Sequence, residues 1–430
     1  MSQLKDYNYD ELVRFHEEVT ADYKNACSKG LKLDMSRGKP GEEQLALSKD
    51  MLLLPVWDEA CTGGGDARNY GILSGLPKCR EFFAELLGVE AGQVFVGGNA
   101  SLSLMYDLIA KAYTNGLLHS EKPWARLDKV KFLCPAPGYD RHFTICESFG
   151  MEMITVAMTD QGPDMDQVEE LVKDPEVKGM WCVPKYSNPD GIIYSDEVID
   201  RIAKLKPAAP DFVVMWDNAY IVHEFEGDYV EFPDILKLCK AAGNEDMVVE
   251  FASTSKITLP GAGVSCFACS EANMKYLTKL LTAQAISYDK MNQLRHLLFL
   301  KDKKNVIALM KKHGAILKPR FDMVISKLDK EVEPLGIAKY FKPKGGYFVS
   351  VYAKPGTAKR IYSLMEGAGV VMTKAGATYP YGIDPEDSNL RVAPSFVSLD
   401  ELSQAMDVFC TCIKLAAVEK ELEAYGEKRS

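Results

Sequence analysis

Two short, mainly apolar runs near the middle of the chain set the pattern for the rest. Phe212-Val-Val-Met-Trp216, entered from Asp211, ends on Asp217-Asn-Ala-Tyr220, and Met247-Val-Val-Glu-Phe-Ala252 ends on Ser253-Thr-Ser-Lys256. Continuous apolar runs with little polar alternation suit strands of a sheet covered on both faces, and such sheets are usually parallel. Similar runs lie at Gln93–Val96, Val130–Cys134, Met153–Ala157, Gly179–Val183 and Val264–Ala268. Amphipathic stretches separate several of them; Leu104, Met105, Leu108, Ile109 and Ala112, for example, share one helical face. The alternation predicts a three-layer αβα sandwich around a mostly parallel, seven-stranded sheet.

The flanks read differently. Tyr9 to Ala26 has a helical pattern, Ser36-Arg-Gly-Lys-Pro-Gly41 reads as loop, and Thr62-Gly-Gly-Gly-Asp66 is a glycine-rich turn before a helix ending at Leu87. Residues from about Ser270 to Leu328 read as long helix. A smaller α+β unit follows, with strands at Gly345–Val351, Val370–Thr373 and Asn389–Ala393 and a helix from Thr357 to Gly367. The last helix starts at Ser398, with Glu401 placed for a capping box and Leu402, Met406, Phe409 and Ile413 on one face. The expected division is an amino-terminal arm contributing to the small domain (1–50), a large domain (51–315) and a small carboxy-terminal domain (316–430).

Composition narrows the function classes. At 430 residues, 47% hydrophobic and 26% charged, the chain is an ordinary globular protein of two or three domains. A net charge of −10 argues against a nucleic-acid partner or an anionic membrane surface. No apolar run is long enough to span a bilayer, and the first residues lack an apolar targeting core, so a cytoplasmic location is expected. Eleven scattered cysteines suit free thiols in a reducing compartment. Cys266 and Cys269 have the spacing of a metal pair but no second pair beside them, and no metal is expected.

In open parallel sheets, ligands collect beyond the carboxyl ends of the strands. The residues leaving those ends are informative as a set. Gly97-Gly-Asn-Ala-Ser101 opens a helix, where glycines allow close approach and free N–H groups attract an anion, although Asn99 or Ser101 capping that helix is equally open. Pro135-Ala-Pro-Gly-Tyr139 supplies an aromatic plate, and Tyr186-Ser-Asn188-Pro-Asp-Gly191 a turn with an amide. Asp217 and Lys256 add an acid and an amine that desolvation would make nucleophilic. A phosphate cradle, an aromatic plate, an acid and an amine suit a flat, phosphorylated, electron-withdrawing aldehyde.

With these motifs the chain resembles, nearly end to end, the fold-type I pyridoxal-phosphate enzymes of the class I aminotransferase kind. The resemblance implies pyridoxal 5'-phosphate as cofactor. It makes Lys256, in Ser253-Thr-Ser-Lys, the lysine that carries the cofactor and shuttles the proton, and Asp217 the partner of the pyridine nitrogen. Tyr220 and Asn188 would hydrogen-bond the ring oxygen, Tyr139 would stack on the ring, and Asn99, Ala100, Ser101 and Ser253 would hold the phosphate. Tyr70, in Asn-Tyr-Gly-Ile-Leu-Ser-Gly, resembles the tyrosine that reaches the neighbouring subunit's phosphate, which implies a homodimer with shared sites. Arg391, in Asn-Leu-Arg-Val-Ala-Pro-Ser, resembles the arginine that grips the substrate α-carboxylate, and Gly38 lies in the loop that passes over the site. One departure is plain: where the family usually has a phosphate-binding arginine about eight residues after the lysine, this chain offers Gly263.

Lys256-Ile-Thr-Leu-Pro-Gly-Ala-Gly-Val264, Ser36-Arg-Gly-Lys-Pro40 and Gln293-Leu-Arg-His296 resemble the bacterial aspartate aminotransferase subgroup Ic. The expected reaction is therefore ping-pong transfer of an amino group between aspartate or glutamate and a 2-oxo acid such as 2-oxoglutarate. A dicarboxylic substrate needs a second cation, for which Arg295 ranks ahead of Lys290, Arg37 and Arg141. Alternatives on the same fold are an alanine or kynurenine transaminase, a cysteine-S-conjugate β-lyase, or a regulatory ligand-binding module. The last needs a basic DNA-reading segment, for which the acidic stretch before Ser36 has no room.

Overall fold

The computed structural model describes residues 3–427, so the outermost residues of the expected arm and carboxy-terminal domain lie outside the described part. The chain forms two compact units. The large one comprises Glu43–Ser187 and Ile192–Gly314; the small one comprises the chain up to Glu42, the four residues Asn188–Gly191, and the chain from Ala315 onward.

Among the described residues there are thirteen strands, numbered in chain order. The first, β1 (Leu33–Asp34), belongs to the small unit. The large unit holds β2 (Val94–Val96), β3 (Lys131–Ala136), β4 (Glu152–Thr159), β5 (Gly162–Pro163), β6 (Val177–Cys182), β7 (Val213–Asp217), β8 (Val248–Ser253) and β9 (Ser265–Ala268). They form one sheet in the order β2-β9-β8-β7-β6-β3-β4-β5. The run β8-β7-β6-β3-β4 is parallel, and β9 is antiparallel to both β8 and β2. The carboxyl ends of β2, β3, β6, β7 and β8 therefore point to one edge. All seven expected strands are present. The eighth, β5, is a two-residue edge strand that carries no apolar run by which to read it.

Strands β6 and β7 are buried at every position, which is why their sequences lack polar alternation. The helix Ser101–Thr114 buries the five expected residues, Leu104, Met105, Leu108, Ile109 and Ala112. Each of the larger ones contributes about 1.5–3 kcal/mol. Phe83, Met180, Trp216, Val248 and Leu294 belong to one continuous core cluster.

The stretch read as one long helix from Ser270 is three: Glu271–Leu281, Lys290–Leu300 and Lys303–Glu331. Asp289 caps the second by accepting from the Asn292 backbone N–H, and Lys301, at φ +65°, breaks the chain before the third. In the small unit, β10 (Ala338–Tyr340), β11 (Val349–Ala353) and β13 (Asn389–Val392) form an antiparallel sheet in the order β10-β11-β13, while β12 (Val370–Val371) pairs with β1 in parallel. The expected strand at 345–351 starts later, at Val349, and β1 and β10 were too short to announce themselves. The helices Tyr9–Ser28 and Leu399–Glu427 pack on one another. The Ser398–Glu401 capping box is formed, each side chain accepting from the other's backbone N–H.

Candidate active site

In the large unit, β7 delivers Asp217 and the adjacent β8 delivers Ser253 and the turn to Lys256, with Asp217 paired in register with Phe251. Asp217 is 2% exposed. One carboxylate oxygen, Oδ2, lies 3.0 Å from His142 Nε2, and the other, Oδ1, finds no hydrogen-bond partner among the described residues. His142 itself stacks on Trp181 at 4.3 Å between centroids. A buried acceptor left unsatisfied costs about 1–3 kcal/mol, more when charged, so Oδ1 marks a place for a donor.

Lys256 is half-buried, its Nζ 5.0 Å from the centre of the Tyr220 ring. Burial lowers the affinity of its amine for a proton, and the Asp217 charge pulls in the opposite direction. The first effect is the larger, so the amine gives up its proton more readily than an ordinary lysine, which suits a nucleophile. Tyr139 precedes the helix Asp140–Ser148, edge-on to His142 at 5.0 Å, so one helix start places both the aromatic plate and the histidine behind Asp217.

At the end of β2, Gly98 takes φ +70° and the chain enters the helix Ser101–Thr114. Its N-cap is Ala100, with no side-chain capping bond, so neither Asn99 nor Ser101 fills the capping role left open above. An uncapped start on a fourteen-residue helix offers N–H groups to an anion. Ser253 Oγ donates to Ser255 Oγ at 3.0 Å, and Ser255 Oγ lies 3.5 Å from the Asn99 carbonyl, so two hydroxyls gather at the same place. Gly263 packs against this loop: a Cβ there would fall 2.8 Å from the Asn99 carbonyl oxygen. No side chain fits at 263, so counter-charge for a phosphate does not come from that position. Gly263→Ala is expected to push on the Asn99 backbone and weaken cofactor binding at least ~10-fold, measured by equilibrium titration, because overpacking costs about 1–3 kcal/mol.

The donor set fits the cofactor that the resemblance implies. An orphaned carboxylate oxygen matches a protonated ring nitrogen, uncapped N–H groups and hydroxyls match a phosphate, and a desolvated amine matches an aldehyde. Sequence reasoning missed His142 and Ser255. Their signals were the i+3 spacing of His142 from Tyr139 and the second hydroxyl in Ser253-Thr-Ser255.

Tyr70 lies in the large unit and is 80% exposed. Lys290 Nζ donates to the carbonyls of Asn69 and Gly71, at 2.5 and 2.7 Å, and so holds the Tyr70 loop. That occupation takes Lys290 out of the contest for a second substrate carboxylate. Arg295 is half-buried on the same helix, and Arg141 is exposed on Asp140–Ser148.

In the small unit, Arg391 on β13 donates through Nη1 to Asn188 Oδ1 at 3.1 Å and through Nε to Thr373 Oγ1 at 3.3 Å. Its guanidinium lies 4.7 Å from the centre of the Phe348 ring. A Cβ on Gly38 would fall 2.3 Å from the tip of that ring, so the loop passes this close only as glycine. Arg37, in the same loop, is exposed.

The profile of the Aspartate amino-transferase family matches residues 7–425. An aspartate aminotransferase of Corynebacterium glutamicum is 46% identical over 417 residues, covering 97% of this chain and 96% of that protein. A putative aminotransferase of Mycolicibacterium smegmatis is 47% identical over 414 residues, covering 95% and 97%. The crystal structure of an aspartate transaminase from Corynebacterium glutamicum superposes with a TM-score of 0.95 at 46% identity, covering 97% of this chain and 99% of that one. The chain belongs to the aspartate aminotransferase family, and it is a pyridoxal-phosphate-dependent aminotransferase of fold type I.

Proposed function

We propose that the enzyme transfers the amino group of aspartate or glutamate to a 2-oxo acid such as 2-oxoglutarate, in two half-reactions at one site. The supporting observation is the 46% identity, over nearly the whole of both chains, to a protein named aspartate aminotransferase. Pyridoxal phosphate, when bound, supplies an electrophilic carbonyl and a ring that withdraws electrons from the substrate. Asp217 Oδ1 accepts the ring N–H, and His142 holds the other oxygen so that the carboxylate cannot turn away. The N–H groups of Asn99, Ala100 and Ser101, at and just before the start of the helix Ser101–Thr114, would bind the phosphate with the hydroxyls of Ser253 and Ser255. Tyr139 would pack against the ring, and Tyr220 and the Asn188 amide NH2 would donate to its oxygen. Lys256 would carry the cofactor, and its freed Nζ would take a proton from the substrate Cα in the first half-reaction and deliver one to the Cα of the product amino acid in the second.

Arg391 grips the α-carboxylate, and the Gly38 loop closes over the substrate. Arg391→Lys keeps the charge but loses the planar fork, so KM for both substrates is expected to rise ~10–100-fold, read from initial rates. Arg295 is proposed as the cation for the side-chain carboxylate. The enzyme is proposed to be a cytoplasmic homodimer in which Tyr70 reaches the neighbouring copy. In support, Tyr70, Leu53, Trp57 and Ile286 of the large unit are all strongly exposed, and no helix among the described residues is long and apolar enough to cross a membrane. A panel of amino donors with 2-oxoglutarate tests the substrate. Aspartate and glutamate should lead; a preference for alanine or kynurenine, or pyruvate released without an acceptor, would replace this reading.

A further inference from the structure

Asn188–Gly191 is a four-residue turn that leaves β6 of the large unit yet is built into the small one. Its attachments lie on two neighbouring strands. Asn188 Oδ1 accepts from Arg391 on β13, and two residues on, the Asp190 carboxylate accepts from the Tyr352 hydroxyl on β11, at 3.0 Å from each oxygen. In the β11–β13 register Ser350 stands opposite Arg391 and Tyr352 opposite Asn389, so the two anchors match the spacing of the turn. The next residue, Gly191, takes φ +72° and presses on Pro343, where a Cβ would fall 2.6 Å from the ring. Beneath the anchors, Thr378 Oγ1 donates to Asn389 Oδ1 at 2.8 Å and Asn389 Nδ2 to Ser350 Oγ at 2.9 Å, fixing the sheet side of the arrangement.

We propose that Asp190 and Tyr352 are positioning residues for substrate carboxylate recognition: their hydrogen bond holds the turn so that Asn188 sets the orientation of the Arg391 guanidinium. The proposal rests on the reading of Arg391 given above. Asp190 is 3% exposed, and burying a carboxylate is expensive unless its hydrogen bonds are made. The return is geometric. A guanidinium binds a carboxylate through two parallel N–H groups, and that contact is sensitive to rotation of the fork. With Asn188 taking one N–H and Thr373 another, the fork has a fixed orientation only while the turn stays in register.

The test is a kinetic split on the holoenzyme, run beside Arg391→Lys. Asp190→Ala and Tyr352→Phe should each raise KM for the amino acid and the oxo acid about 10-fold, the effect of one lost hydrogen bond, with kcat within about 2-fold. Asp190→Asn, which keeps an acceptor for Tyr352, should recover most of the loss. The double variant Asp190→Ala/Tyr352→Phe should be no worse than Asp190→Ala alone, because Tyr352→Phe removes only a bond that Asp190→Ala has already removed. Tyr352→Phe removes one hydroxyl and leaves the ring packing, so it keeps the test open should Asp190→Ala fail to fold. If Arg391→Lys raises KM while Tyr352→Phe lowers only thermal stability or kcat, the clamp is wrong and the Arg391 reading survives. If Arg391→Lys leaves KM unchanged, that reading fails and the clamp falls with it.

Discussion

Lys256→Ala is expected to lower multiple-turnover amino transfer by at least ~10^4-fold, because in the proposed function a single side chain supplies both the nucleophile and the proton carrier, and a positioned acid-base group alone is worth about 10^2–10^4. The environment of the amine supports this assignment. Lys256 follows β8 on the strand-end edge, burial makes its proton easier to lose, and the Tyr220 ring face covers it at 5.0 Å. The folded protein holds this proton less tightly than the unfolded chain does. Without cofactor, the site therefore costs stability as pH falls below the ordinary lysine range, and the cost levels off once pH is below the lowered value. Alanine removes that cost, so the variant should unfold at no lower temperature than the native apoenzyme. Two measurements separate chemistry from folding. Steady-state rates with aspartate and 2-oxoglutarate should collapse, and borohydride should fix the cofactor to the peptide containing residue 256 in the native enzyme and not in the variant. Turnover near the native rate in Lys256→Ala would remove the proposed role.

Most of the large unit was legible because burial on both faces leaves a signal that needs no partner. Strands β6, β7 and β8 are apolar runs whatever they pair with, and the turns after them carry Asn188, Asp217 and Lys256. Where a residue's environment is made by distant parts of the chain, the sequence was silent. His142 sits in Tyr-Asp-Arg-His, which reads as an exposed helix start; stacking on Trp181 and contact with Asp217, 75 residues away, turn it inward. Asn188 and Arg391 are 203 residues apart, and nothing local says that one amide takes the other's N–H. The Ser270–Leu328 stretch misled for another reason. Good helix formers surround its breaks, and an N-cap at Asp289 and a left-handed Lys301 end helices only where packing asks for it. Strands of two or three residues, such as β1 and β10, hold too few positions for any period to show.

Replacing Asp217 by asparagine is expected to lower kcat about 10^3-fold, the rate equivalent of about 4 kcal/mol and the usual cost of breaking a buried ion pair. The shape of the site survives this change; its charge does not. In the native arrangement one oxygen is held by His142 Nε2 at 3.0 Å, and the other is buried without a partner among the described residues. Asparagine can keep only half of this. If its oxygen stays with His142, its NH2 faces the protonated ring nitrogen, donor against donor. If it turns, the ring nitrogen regains an acceptor, but His142 must change tautomer and no negative charge remains to keep the ring protonated. Either way the electron-withdrawing power that the reaction needs falls. Asp217→Glu keeps the charge on a longer arm and should lose less than Asp217→Asn. A charge role and a merely structural role therefore predict opposite rankings, since asparagine is the closer match in size. Single-turnover rates with aspartate at saturating cofactor read the difference directly. An asparagine variant faster than the glutamate variant would mean that Asp217 supports the fold rather than the chemistry.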